Sequence, residues 1–376
     1  MSAVSLPSQM KAAVLMADEP ELEIRRIPVP RPRAGEALVK IRACGVCHTD
    51  LHVMKGEVGF PRPAVLGHEI SGTVVALGTH AGQTSGLEVG DPVVGAFIMP
   101  CTTCEPCLRG RDDLCENFFA QNRLHGTLYD GESRLSMADG SFLAMYSMGG
   151  LAEYAVVPLA GLTSLRPGLE PVAAAILGCA AFTAYGAVHR AGQVRPGQSV
   201  AVVAVGGVGS GVVQLAKAAG ADPVIAVDIA DDKLEAARLM GATHVINSRT
   251  TDARAAVREI CGGVDVAFEA LGHPATFSQA VELLGDGGRM VAIGIAAGQA
   301  KAEIEITPLV RRGYTVTGSF GARTREDLPA VVEAATRGGF DAAGLVTRRF
   351  PLEDANEAYQ ALARGEITGR AVVVMD

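Results

Sequence analysis

The chain has 376 residues and a formal net charge of −8, with 48% hydrophobic and 20% charged residues. At ~100–200 residues per domain, that length implies two domains, and the composition supports full-sized cores and excludes a disordered chain. No basic block stands out and no apolar run reaches the ~18 residues of a membrane span, so neither nucleic acid nor a membrane is expected as a partner.

The opening Met1–Met10 is polar and lacks the basic end and apolar centre of a secretory signal, so a cytoplasmic location is expected. Short apolar runs follow at Ala12–Met16, Glu36–Ala43 and Ile70–Leu77, broken by Pro and Gly. They predict a mainly β region rich in loops. Phe118–Tyr146 shows little periodicity and reads as a long loop with short strands. The pattern changes after about Pro171. Val172–Arg190 is Ala-rich and largely helical in character, and Ser199–Val205 is a β-branched run leading through a glycine cluster into a helix that ends near Gly220. Val224–Val227, Lys233–Met240, His244–Ile246, Val264–Phe268, Phe277–Leu284 and Met290–Ile293 continue the alternation. Repeated strand–helix units predict a parallel sheet covered by helices on both faces. From about Arg323 come two helical segments and a final strand, Ala371–Met375, suited to return to the first domain.

Of eight cysteines, four crowd together as Cys101, Cys104, Cys107 and Cys115, spelling C-x2-C-x2-C-x7-C. Such a cluster in a long chain reads as metal binding before disulfides. Four cysteines saturate tetrahedral zinc and leave no position for water, which makes the site structural. An iron–sulfur cluster is the alternative. Four thiolates on Zn²⁺ leave a net charge of −2, and Arg109 and Arg111 in the same loop are the expected donors that offset it.

At the end of the run Ser199–Val205 the sequence reads Ala204-Val-Gly206-Gly207-Val208-Gly209, a variant of G-x-G-x-x-G with Ala in the first place. A glycine turn there lets backbone N–H groups and a helix N-terminus approach a pyrophosphate. Asp228 ends the next strand 19 residues after Gly209, near the ~20 expected of a ribose-binding acid. A carboxylate there favours NAD over NADP, because it repels a 2′-phosphate.

Three further pieces are weak singly: Gly45-Val-Cys-His-Thr-Asp50, Gly67-His-Glu69 and Leu177-Gly-Cys179. A lone Cys179 reads as a small core residue and a lone His68 as a satisfied polar one. Together with the four-cysteine loop and the glycine cluster, in this order and at this spacing, they make the chain resemble the zinc-dependent medium-chain alcohol dehydrogenases of the two-zinc type, from about Lys11 to Val374.

The resemblance implies an α/β protein with two domains. One is a Rossmann doubly wound parallel sheet domain that binds NAD (181–322). The other is a mainly β, GroES-like catalytic domain (1–180 and 323–376). It implies that Cys47, His68 and Cys179 ligate a catalytic zinc, with Glu69 near the metal as an alternative ligand or a bystander and Asp50 orienting His68. The fourth zinc position is left to water or substrate. It implies that Thr49 hydrogen-bonds an alcohol oxygen polarised by zinc, that hydride passes from the alcohol carbon to nicotinamide, and that His52 hands the proton to solvent. His48, Lys233 and Arg370 match residues that contact the cofactor, His48 and Arg370 at the pyrophosphate and Lys233 at the adenine ribose. Val58, Phe97, Met145 and Ile295 match an apolar substrate pocket suited to primary alcohols and their aldehydes. A homodimer or homotetramer is implied as well.

Three rivals stand beside this reading. Polyol dehydrogenases of the same superfamily generally replace the third ligand or lose the structural zinc, and Cys179 and the intact loop count against them. Glutathione-dependent formaldehyde dehydrogenases grip their thiol adduct with an acid and an arginine, where this chain has Val58 and Phe119; a different thiol carrier stays open. A non-catalytic dinucleotide-binding relative would lack Cys47, His68 or Cys179.

Overall fold

The computed structural model describes residues 6–17, 19–79, 86–296 and 298–375; part of the opening stretch Met1–Met10 lies outside them. The chain divides into two compact units. One comprises Met1–Cys179, Arg323–Thr336 and Ala342–Asp376, and the other Ala180–Ala322 and Arg337–Asp341. The short segment Arg337–Asp341 departs from the boundaries expected from sequence. It joins the second unit, where Gln214 Oε1 accepts a 2.7 Å bond from the Asp341 amide.

In the second unit six parallel strands form one sheet, in the order His244–Asn247, Val224–Asp228, Val200–Val203, Val264–Glu269, Leu284–Ala292, Thr315–Gly318. This is the doubly wound parallel sheet expected. Val200–Val203 and Val224–Asp228 are wholly buried, as their unbroken apolar runs require in a sheet covered on both faces. The winding reverses between Val200–Val203 and Val264–Glu269, and the crevice at the carboxyl ends of such strands is where ligands bind in open α/β sheets. Two details differ from the sequence pattern. The fifth strand starts at Leu284, not Met290, because its pairing jumps register between Leu284 and Arg289, across the glycines at 285, 287 and 288. Ala253–Cys261 adds a helix beyond those expected, capped by the Asp252 carboxylate on Ala255 N–H and ended by Gly262 at φ 78°.

The glycine turn is tightly built. Ala204 sits at φ 69°, the left-handed region. A Cβ on Gly209 would lie 2.0 Å from the Ala204 carbonyl oxygen, so only glycine lets the helix Gly207–Ala218 begin so close to the strand. Left-handed backbone costs a non-glycine residue about 1–2 kcal/mol, offset in part by the greater entropy glycine has when unfolded. Ala204→Gly should therefore stabilise the protein by about 0.5–1 kcal/mol. A raised midpoint in denaturant melts checks this; an unchanged or lowered midpoint overturns it.

Among the described residues the first unit holds two sheets. One runs in the order Leu22–Pro28, Gln9–Leu15, Ala64–Val65, Phe142–Met145, Leu135–Ser136. The other is built around the long strand Glu36–Val46, which pairs with Ile70–Leu77, with Tyr154–Pro158 and with the last strand, Arg370–Val374. The chain end thus returns to the first unit and sets Val372 opposite Gly45, two residues before Cys47. The expected helix Val172–Arg190 is broken at Cys179. Ala173–Gly178 is a tight 3₁₀ segment, Cys179 leaves helical geometry at φ −135°, and a helix resumes at Ala180. The cause is packing. The Gly178 carbonyl accepts a 3.0 Å bond from Phe97 N–H, and a Cβ on Gly178 would lie 1.8 Å from the Gly95 carbonyl oxygen. Among the described residues no helix is long and apolar enough to cross a membrane.

Candidate active site

Cys47 follows the strand Glu36–Val46 and stands just before the short helix His48–Met54. His68 and Glu69 lie just before the strand Ile70–Leu77, and Cys179 sits at the helix break. One ligand atom from each of Cys47, His68, Glu69 and Cys179 lies within 4.8 Å of the other three, and all four residues are buried. The sulfur–nitrogen–sulfur set with a nearby carboxylate suits zinc.

Asp50, fully buried in the first turn of that helix, organises the cluster. Its Oδ1 lies 3.0 Å from His68 Nδ1 and accepts a 3.3 Å bond from Gly67 N–H. A carboxylate only accepts, so Nδ1 carries the proton and Nε2 is the ring nitrogen that could face a metal ion. Phe97 and Tyr146 pack edge-on to the His68 ring at 6.1 and 6.2 Å. Burial alone would lower the His68 imidazole, but the charges of Asp50 and Cys47 raise it well above its usual range. The Cys179 S–H and the neighbouring His68 hold Cys47 well below the usual thiol range, and the bond to Cys47 together with burial pushes Cys179 up. Glu69 is fully buried and pairs with Arg370, its Oε2 has no hydrogen-bond partner among the described residues, and burial lifts its carboxyl to about 7 against the pull of Arg370.

The other predicted residues fall as follows. Thr49 Oγ1 lies 3.6 Å from Cys47 Sγ. The His52 side chain is 43% exposed and paired with Glu57, and His48 is exposed. Arg370 is not a surface charge; its guanidinium is buried on Glu69, with Nε lacking a hydrogen-bond partner among the described residues. Phe97 and Met145 are buried in the first unit, where Val58 is 40% exposed, whereas Ile295 belongs to the second unit and is 64% exposed. In the second unit Asp228 is buried at its strand end. Its Oδ2 accepts from Val205 N–H at 2.9 Å, tying it to the glycine turn that holds Gly206, Gly207, Val208 and Gly209. Its Oδ1 accepts from Ile229 and Ala230 N–H at 2.7 and 3.1 Å. Lys233 is half-buried in the first turn of the following helix.

Some neighbours of the site were not legible beforehand. The Tyr359 hydroxyl donates to Asp50 Oδ2 at 2.9 Å. Tyr146 is fully buried, and the Arg123 guanidinium lies 4.2 Å over its ring. Asn122 Nδ2 ties the pocket segment together through the carbonyls of Thr127, Met145 and Ser147. A tyrosine on the buried face of a helix signals a buried partner for its hydroxyl, but not which partner.

The ligand atoms of Cys101, Cys104, Cys107 and Cys115 also lie within 4.8 Å of one another. Cys104 and Cys115 Sγ are 3.9 Å apart, against ~3.8 Å for two vertices of a tetrahedron with ~2.3 Å zinc–sulfur bonds. The donors differ from the two arginines expected from sequence: Arg109 pairs with Glu105 and Arg111 with Asp113, both on the surface. The sulfurs take nearby amides instead, because the tight turns aim those N–H groups inward. Cys101 Sγ accepts from Thr103 and Cys104 N–H and Asn117 Nδ2 at 3.3–3.4 Å, and Cys115 Sγ from Cys101 and Phe118 N–H at 3.2 and 3.4 Å. Burial opposes it, yet the bonds from Thr103, Cys104 and Asn117 hold the Cys101 thiol down at about 6. Arg325 fastens the lobe from outside, on Asp112 at 2.7 Å and on the Cys107 carbonyl at 2.5 Å. If this lobe holds a structural metal, Cys104→Ala should remove one zinc and lower stability by about 3 kcal/mol, roughly 6–12 °C, with near-normal turnover in the folded fraction. Metal analysis with thermal melts checks it, and a variant equally stable without that zinc counts against the role.

Residues 33–167 match the alcohol dehydrogenase GroES-like domain family, and residues 207–337 match the zinc-binding dehydrogenase family. The chain is 36% identical to an S-(hydroxymethyl)glutathione dehydrogenase of Synechocystis, over 95% of this chain and 97% of that protein. Among solved structures it is similar to an alcohol dehydrogenase zinc-binding domain protein of Burkholderia ambifaria (35% identity, TM-score 0.92, 98% of this chain and 99% of the other). It is also similar to a benzyl alcohol dehydrogenase of Acinetobacter calcoaceticus (31% identity, TM-score 0.91, 98% and 100%). With both domain families matched and its two cysteine-rich clusters assembled, the chain belongs to the zinc-dependent medium-chain alcohol dehydrogenase family.

Proposed function

We propose that this protein is an NAD-dependent alcohol dehydrogenase that interconverts an apolar primary alcohol and its aldehyde, with one catalytic and one structural zinc per subunit. The observation that carries the reading is the convergence of Cys47, His68 and Cys179, all buried, with Asp50 bonded behind the histidine. Zinc held by these three residues would supply Lewis-acid polarisation of an alcohol oxygen, and NAD held at the glycine turn would supply the hydride acceptor. Cys47, His68 and Cys179 are the catalytic ligands, and Cys101, Cys104, Cys107 and Cys115 the structural ones. Thr49, beside Cys47, takes the alcohol proton's hydrogen bond, and His52, exposed, passes the proton to solvent. Phe97 and Met145 exclude water from the reacting oxygen. Residues 181–322 form the NAD-binding domain, with Asp228 at the ribose, and the rest form the catalytic domain.

The test combines metal analysis with a substrate panel. About two zincs per subunit and NAD-linked turnover of aliphatic or aromatic primary alcohols are expected. Preferred turnover of a hydroxymethyl thiol adduct would replace this reading with that of a thiol-dependent formaldehyde dehydrogenase. One zinc or none, with no turnover, would leave a non-catalytic protein.

A further inference from the structure

We infer that Tyr359 is a positioning residue for the metal ligand His68, acting through Asp50. The three side chains form one buried line: Tyr359 hydroxyl to Asp50 Oδ2 at 2.9 Å, and Asp50 Oδ1 to His68 Nδ1 at 3.0 Å. Tyr359 and Asp50 have no exposed surface and His68 has 1%. Tyr359 comes from the helix Ala355–Ala363, near the chain end, while Asp50 lies in the helix His48–Met54.

The physical need for the hydroxyl follows from the shape of a carboxylate. The terminal torsion of Asp is broad and roughly two-fold, so one anchored oxygen does not by itself fix the plane of the group. Oδ1 is held by His68 and by Gly67 N–H, both on the segment that carries the ligand. Oδ2 takes its bond from a different element of the unit, the Tyr359 helix. Among the hydrogen bonds of the described residues, it is that bond which ties the carboxylate to a support independent of the segment it must orient. Without it a buried, charged oxygen loses its donor, a costly state that the group relieves by turning. Turning moves Oδ1 off Nδ1 and frees the imidazole to rotate. Loss of partners behind a metal-binding histidine typically costs about 10–100-fold in metal affinity or activity.

The inference rests on the reading that Cys47, His68 and Cys179 hold zinc. The experiment uses full-length protein and follows zinc release to a chromogenic chelator, in wild type and in Tyr359→Phe. Cys47→Ser assigns the phase of the catalytic metal. The expected result is roughly tenfold faster release of that zinc, with the four-cysteine zinc leaving at the wild-type rate as an internal control. Cobalt placed at the same site should show shifted d–d bands in Tyr359→Phe. In an Asp50→Asn background the Tyr359→Phe change should add nothing further. Unchanged release with superimposable cobalt spectra overturns the inference. So does equal acceleration of both zincs, which marks general loosening, or full additivity with Asp50→Asn. A wild-type protein carrying only the four-cysteine zinc sinks the underlying reading instead, so the two failures are distinguishable.

Discussion

Cys47→Ser and Cys179→Ala are each expected to remove one of two zincs and to lower hydride transfer by at least ~1,000-fold, about 4 kcal/mol of transition-state stabilisation. Each substitution leaves one sulfur and His68 as protein ligands, beside a carboxylate, Glu69, that is already paired with Arg370. Two ligands and a committed carboxylate make a poor site for a divalent cation in a buried pocket, where an uncompensated charge is costly. The fold should survive, because what each backbone does locally does not need the sulfur. The Cys47 carbonyl still accepts from Leu51 N–H, and the break at Cys179 is set by Gly178 against Gly95. Zinc content, circular dichroism and single-turnover NADH formation are the measurements. Near-normal turnover in either pure variant would show that these residues are not the catalytic ligands.

The second large effect concerns cofactor choice. Wild type is expected to prefer NAD over NADP by at least ~100-fold in kcat/KM, roughly 2.7 kcal/mol. A 2′-phosphate carries about −2 charge and would face the Asp228 carboxylate in a partly desolvated crevice. Ile229 and Ala230 follow directly, so no adjacent cation relieves the contact. The geometry also narrows the attractive side. A carboxylate has about four acceptor positions. Three backbone N–H groups, of Val205, Ile229 and Ala230, already occupy Asp228. Little acceptor capacity is left for ribose hydroxyls, so repulsion of NADP carries most of the discrimination. Asp228→Ser should then erode the preference and also loosen the glycine turn, weakening NAD use together with stability. Steady-state kinetics with both cofactors on wild type and variant decide it. Equal efficiency with NADP in wild type would overturn the role of Asp228.

Features that depend on local period and on spacing along the chain can be read from the amino-acid order alone. The alternation of strands and helices from Ser199 onward is readable because a parallel sheet buried on both faces demands unbroken apolar runs. The four-cysteine lobe is readable because its cysteines lie within 15 residues, from Cys101 to Cys115. Cys47, His68 and Cys179 were legible only as pieces of a recognised pattern, since nothing local connects residue 47 to residue 179. Tertiary structure decided the rest. It broke an Ala-rich helix at Cys179, because Gly178 is drawn onto the Phe97 amide and against Gly95. It gave the cysteine lobe mainly backbone amides as donors, with the Asn117 side-chain amide beside them, and left Arg109 and Arg111 on the surface, because backbone N–H groups in tight turns reach the sulfurs with no side-chain entropy to lose. It also buried Arg370 on Glu69 and brought Tyr359 to Asp50. Such contacts join residues some 300 positions apart, and they arise only where the last strand and the helix before it complete a sheet begun near the start of the chain. A long-range polar pair of this kind leaves no periodic trace in sequence, because its partners are chosen by which elements meet and not by how far apart they lie along the chain.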